Sequence, residues 1–302
     1  MTIIPPYLKP GDTIGIVCPA GYLPLEKAQT CIETLTEWGF KVKIGKTLGN
    51  QFHYFSGTDE ERTQDLQQML DDKNIDAILC GRGGYGTGRI IDRLDFSKFA
   101  KHPKWIIGFS DITVLHNHLF SNFKIASLHA PMAAAFNDGE AKNKYIESLH
   151  AALLGEKADY ITSGHPFDQE GKAKGILVGG NLSLLVNLIG TRSAIKTKNR
   201  ILFIEEVGEY IYAADRMMYQ LKRSGMLEDL KGLIIGKFSE MKDTTNPFGQ
   251  TIEEAIKDLV KDYDFPVCFD FPVSHEKENY ALKIGIKYKL KVQKGKVELK
   301  EV

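Results

Sequence analysis

The chain reads as an α/β protein, with a Rossmann-like N-terminal domain on a parallel sheet and a smaller mixed α/β, β-rich C-terminal domain. Three observations predict this. Short apolar runs alternate with helix-periodic segments through the first half, the pattern of a parallel sheet with helical crossovers. The apolar run at 75–80 leads straight into GRGGYGTG (81–88), a glycine-rich loop at a strand end. The tail, 283–299, alternates apolar and charged residues around a Lys-Gly turn at 294–295, as a β-hairpin does.

Taken in order, KPGDTIGIVCPA (9–20) supplies a turn, a buried strand at Thr13–Cys18 and a loop. Ala28, Ile32, Leu35 and Trp38 then share one helical face, and Gly39 stands where a helix C-terminal glycine belongs. Phe40–Ile44 resumes strand character, completing a β-α-β unit with a right-handed crossover. Thr58-Asp59-Glu60-Glu61 is a capping box that starts a helix running to about Leu70. Ile75–Cys80 is the next strand, and Arg89–Leu94 reads as helical. Trp105–Phe109 is a buried strand; Val114, Leu115 and Leu119 give the segment 113–120 a helical spacing. A short strand at 125–128 and an amphipathic helix at 145–153 complete a domain over 1–154.

Residues 155–174 carry little periodicity and read as a linker. The domain over 175–302 follows, with strands at 175–180, 201–206, 232–236 and 266–269 and helices at 181–189, 213–222 and 252–260 before the final hairpin.

Composition bounds the function. Thirty-nine basic residues balance thirty-nine acidic ones, so the electrostatic footprint of a nucleic-acid binder is missing. The four cysteines (Cys18, Cys31, Cys80, Cys268) include no C-x-x-C pair, which points to buried thiols in a reducing compartment, not to zinc or disulfides. The opening MTIIPPYLKPGD has no apolar signal-peptide core, and no run is long enough to cross a bilayer. The expectation is a soluble cytoplasmic protein with no membrane partner and no metal.

Ser110 lies at a strand-to-helix junction in WIIGFSDIT (105–113). That position suits either a nucleophile elbow, which holds Oγ at the tip of a sharp turn, or a simple helix cap. Gly108-Phe109-Ser110-Asp111-Ile112 lacks the second glycine of G-x-S-x-G. Gly81-Arg82-Gly83-Gly84-Tyr85-Gly86 matches G-x-G-x-x-G, yet it follows a later strand, and no acid stands about twenty residues on. Its glycines suit a dinucleotide, one wall of an oxyanion hole, or a plain connector. His275, in the loop FPVSHEKENYALKIG (271–285), is placed as a base would be. His116 and His118, on the helix after Ser110, read as residues that cap, pack or face solvent, not as a metal pair. Glu205 and Glu206 end an apolar strand; because side chains alternate, at most one faces a given cleft.

Together GRGGYG, GFSDIT, GGNLSLL (179–185), LFIEEVGE (202–209) with Ala-Asp-Arg at 214–216, and the late Ser-His segment resemble the serine LD-carboxypeptidase family, which includes the microcin C self-immunity peptidases. The resemblance spans nearly the whole chain. It implies a Ser-Glu-His triad at a cleft between two domains, with Ser110 as nucleophile, His275 as base and Glu205 as its orienting acid. It also implies an oxyanion hole from the backbone N–H groups of Asp111 and Gly84, and substrate contacts from Asn181 and Glu209. The implied reaction releases the terminal D-alanine of murein tetrapeptide during peptidoglycan recycling, with no cofactor, in a homodimer. A microcin-type peptidase cleaving peptidyl-nucleotides is the alternative within the family, and a nucleotide-binding Rossmann-like protein the alternative outside it. Two departures stand out: Ser274 precedes the histidine in place of glycine, and Glu206 replaces the more familiar aspartate.

Overall fold

A computed structural model of the chain describes residues 1–137 and 143–302. These divide into two compact units, one of Met1–Glu156 with Tyr280–Lys283, the other of Lys157–Asn279 with Ile284–Val302.

In the first unit, strands β1 (Thr13–Val17), β2 (Lys41–Ile44), β3 (Ala77–Cys80), β4 (Trp105–Gly108) and β5 (Ser127–His129) pair in the order β2-β1-β3-β4-β5, all parallel. β1, β3 and β4 are almost wholly buried, because helices cover both faces of a parallel sheet and leave no strand face for polar residues. The strand order reverses between β1 and β3, so the loops leaving their C-terminal ends splay apart and open a crevice there. The loop after β1, the glycine-rich loop after β3 and Ser110 after β4 therefore share one edge of the sheet. The Thr58 capping box is present, with Glu61 N–H bonded to Thr58 Oγ1 and Thr58 N–H to the Glu61 carboxylate, and it starts the helix Asp59–Asp71.

The second unit carries β6 (Asp159–Ser163), β7 (Gly171–Asn181), β8 (Arg200–Val207), β9 (Gly232–Ser239) and β10 (Val267–Cys268). After β11 (Leu282–Ile284), which flanks β5 in the first sheet, come β12 (Lys287–Gln293) and β13 (Lys296–Glu301). The second sheet runs β10-β9-β8-β7-β12-β13-β6: β7 to β10 are parallel, and β12, β13 and β6 add on antiparallel. The hairpin is found with its turn at 294–295 and its apolar residues Tyr288, Leu290, Val292, Val297 and Leu299 inward.

The segment 155–174, read from sequence as a linker, instead holds β6 and the start of β7. Its half-exposed edge-strand pattern carries too few apolar residues to stand out, and the pairing that makes it a strand lies more than a hundred residues away, on β13. All four cysteines are buried and free.

Candidate active site

In the first unit, Trp105–Gly108 ends against Ser110, whose φ is +60°. A non-glycine residue held there is strained, and such strain persists only where the surroundings over-determine it. Ser110 opens a single 3₁₀ turn, Ser110–Ile112, that runs into the helix Thr113–Phe123. This is the sharp strand-to-helix turn of an elbow.

Three buried side chains tie together that turn and the loops beside it. Asp111 accepts a hydrogen bond from the Thr87 backbone N–H at 2.8 Å, tying the end of the glycine-rich loop to the elbow, and burial raises its carboxyl pKa. His116 bridges Gly108 O (Nε2, 2.8 Å) and Ser127 Oγ (Nδ1, 2.9 Å), joining the ends of β4 and β5. Because the carbonyl can only accept, Nε2 carries the proton and Nδ1 accepts from the serine hydroxyl. Burial pushes the His116 pKa down to about 4, so the ring is neutral. Arg62 is fully buried and donates to Pro19 O, Gly86 O (3.0 Å) and Gly57 O (3.2 Å), fastening the loops after β1 and β3 together. Sequence reasoning passed over Arg62. Its signal was the helical spacing that puts it on the same buried stripe as Leu66, Met69 and Leu70.

Of the paired glycines, Gly83 packs on the serine. A Cβ built there would lie 2.8 Å from Ser110 Cβ and 3.0 Å from Oγ, closer than any side chain tolerates, so only glycine lets the loop approach the hydroxyl. Gly84, one residue on, lies beside the Tyr54 hydroxyl.

In the second unit, the β8–β9 register slips between Ile204 and Glu206, an irregularity at the glutamate pair that re-aims the side chains there. The two acids part company. Glu205 Oε2 lies 2.6 Å from His275 Nδ1, while its Oε1 is buried with no hydrogen-bond partner among the described residues. Glu206 accepts from Asn181 Nδ2 (2.8 Å) and from the backbone N–H groups of Ser183 (2.8 Å) and Val207 (2.9 Å). Asn181 is 2% exposed and also caps the helix Leu182–Asn187 through Oδ1. Its bonds to Glu206 and to the Leu184 N–H support the fold around Glu206. Glu209 lies half-buried just beyond β8, and its carbonyl accepts from Lys242 N–H at 2.9 Å.

His275 is delivered by a segment that runs beside β9, with Phe271 N–H bonded to Ile235 O and Lys237 N–H to Val273 O. Ser274, fully buried, closes the turn. Its Oγ accepts from Glu276 N–H and donates to Glu278 O, both at 2.9 Å. The serine found where glycine was expected therefore shapes the histidine loop. Lys237 Nζ pairs with Glu278 (2.6 Å) and Glu276 (3.0 Å) across the same turn. Burial disfavours the imidazolium of His275, but the Glu205 carboxylate, its hydrogen bond and Glu206 behind it outweigh that and hold the pKa above 6.5. With Nδ1–H donated to Glu205, Nε2 is the nitrogen that can exchange a proton. The pair has the chemistry of a general base with its orienting acid.

Residues 14–130 match the LD-carboxypeptidase N-terminal domain and residues 174–290 the LD-carboxypeptidase C-terminal domain. A relative from Bacillus subtilis (strain 168), named "Probable murein peptide carboxypeptidase", is 36% identical over 286 residues, covering 94% of this chain and 90% of that protein. The crystal structure of muramoyltetrapeptide carboxypeptidase from Oxalobacter formigenes superposes with a TM-score of 0.87 at 28% identity, covering 96% of this chain and 98% of that one. A microcin C7 self-immunity protein in complex with aspartyl sulfamoyl adenosine shares the fold, with a TM-score of 0.87 at 22% identity and 99% of both chains covered.

Proposed function

Since the chain belongs to the LD-carboxypeptidase family and is a carboxypeptidase, we propose that it releases the terminal D-alanine of murein tetrapeptide through a covalent intermediate on Ser110. The observation that carries this reading is the Glu205–His275 pair at 2.6 Å, a base held in one tautomer by a buried acid, together with a serine held at φ +60° on a strand-to-helix turn.

In the proposed reaction His275 Nε2 takes the Ser110 proton as Oγ attacks the carbonyl of the L-centre. The tetrahedral oxyanion is held by the backbone N–H groups of Asp111 and Gly84, the latter following the glycine packed on Ser110. Collapse breaks the amide, and His275 returns the proton to the departing D-alanine amine. Water, deprotonated by the same imidazole, then hydrolyses the ester and restores Ser110. Glu205 stabilises the imidazolium at each stage. Glu209, the acid nearest the end of β8 that is not engaged with His275 or Asn181, is the candidate for contact with a substrate amino group. A cytoplasmic, peptidoglycan-recycling role follows from that substrate.

The test is mass spectrometry of murein tetrapeptide incubated with wild type and with Ser110→Ala. Loss of one alanine mass with wild type alone is the expected result. Intact tetrapeptide with wild type refutes the substrate, and aspartyl sulfamoyl adenosine, the ligand of the microcin C7 self-immunity structure, is then the compound to assay. Equal turnover by Ser110→Ala refutes the nucleophile.

A further inference from the structure

The outward face of the second sheet breaks a rule of sheet design. Residues paired directly across strands share a face, and like charges there are destabilising. One row across the sheet runs Lys174, Lys289, Lys300, Asp159 over β7, β12, β13 and β6; the next runs Lys172, Lys291, Glu298, Ile161. Lys287 and Lys296 lie on the same face, making seven lysines against two carboxylates in a chain whose formal net charge is zero. Glu298 is shared among Lys291, Lys296 and Lys300, and Asp159 also pairs with Lys300. Among the described residues, Lys172, Lys174, Lys287 and Lys289 form no ion pair.

Two fold-based explanations fail. Lysines that guard a sheet edge against aggregation belong on the edge strand, but the edge here is β6, and β7, β12 and β13 are interior. Solubility asks for mixed signs, not for rows of one sign. A local rule broken with only two carboxylates to compensate seven lysines points to something outside the fold.

We propose that this face docks on an anionic phospholipid bilayer. The charges lie on a two-dimensional grid, about 4.8 Å apart across strands and about 7 Å apart along them, which suits a plane of headgroups. Lys172, Lys174, Lys289, Lys291 and Lys300 border a groove of about 370 Å³, and Ile161, 54% exposed, stands on the same face as an apolar contact for the interface. A single nucleic-acid strand needs aromatic stacking platforms, and the aromatic residue of β12, Tyr288, faces inward. Among the described residues no helix is long and apolar enough to cross a membrane. The sequence expectation of no membrane partner rested on that feature, which bears on crossing a bilayer and not on electrostatic attachment to its surface.

The experiment is co-sedimentation of the full chain with vesicles of phosphatidylcholine alone and of phosphatidylcholine with roughly one-third phosphatidylglycerol, at low and high salt. Wild type is expected to bind the anionic vesicles at least about tenfold more tightly than the neutral ones and to release in high salt. Lys174→Glu/Lys289→Glu is expected to lose at least about tenfold of that binding. Its melting temperature should match or exceed that of wild type, because cross-strand repulsion is relieved. Lys174→Gln/Lys289→Gln gives the same reading should the reversed pair fail to fold. Equal binding to both vesicles, undiminished binding by the variants, or binding to duplex DNA with none to vesicles overturns the proposal.

Discussion

His116 offers a stability measurement that tests how the Ser110 turn is built. The ring is buried and neutral, its pKa near 4 against an ordinary 6.5. Between those values the unfolded chain binds a proton that the folded chain refuses, so stability falls as pH drops from 6.5 toward 4 and is flat above 6.5. A gap of about 2.5 units at about 1.36 kcal/mol each is worth about 3 kcal/mol. Other groups titrate in the same window, so the quantity to measure is the difference between wild type and His116→Gln, which cancels them. Urea unfolding followed by tryptophan fluorescence reports this unit, because both tryptophans, Trp38 and Trp105, belong to it. Near pH 7 the variant should be less stable by about 1–3 kcal/mol, from the bonds lost to Gly108 O and Ser127 Oγ. Toward pH 4 that disadvantage should shrink by about 3 kcal/mol and vanish or reverse. A difference that stays constant from pH 7 to pH 4 would refute the buried neutral bridge.

Two further expectations concern the chemistry. Glu205→Gln keeps the shape and the burial but removes the charge that raises the His275 pKa, so kcat should fall by about 10²–10⁴-fold. The acid limb of the pH–rate profile should also move to lower pH, and an unmoved limb in D-alanine release would separate His275 from Glu205. Gly83→Ala puts a methyl within 2.8 Å of Ser110 Cβ. At least about a hundredfold loss of kcat is expected, with tetrapeptide turnover at the wild-type rate as the contrary result.

Much of the architecture was legible because it is local. Buried parallel strands are continuous apolar runs, helices announce themselves by spacing and by the Thr58 capping box, and Ser110 sits where one pattern stops and the other begins. The residues that decide the site were less so. Glu205 and Glu206 are chemically equivalent in sequence, and only the slip in the β8–β9 ladder and the path of the His275 loop beside β9 give one to the imidazole and the other to Asn181. Asn181 is part of the same long-range arrangement, its amide reaching the Glu206 carboxylate across 25 residues of chain. Arg62, on a buried helix face, ties loops separated from it by 43 and 24 residues.

By itself the sequence determined most of the strands and helices, the sharp turn at Ser110 and the candidate base, since each depends on neighbours within a few residues. Tertiary structure alone decided which acid meets His275, which glycine meets Ser110, and which lysines stand side by side on the outer sheet. Those are pairings between distant segments, and their register is set by the packing of whole strands, where a shift of one residue turns every side chain to the opposite face.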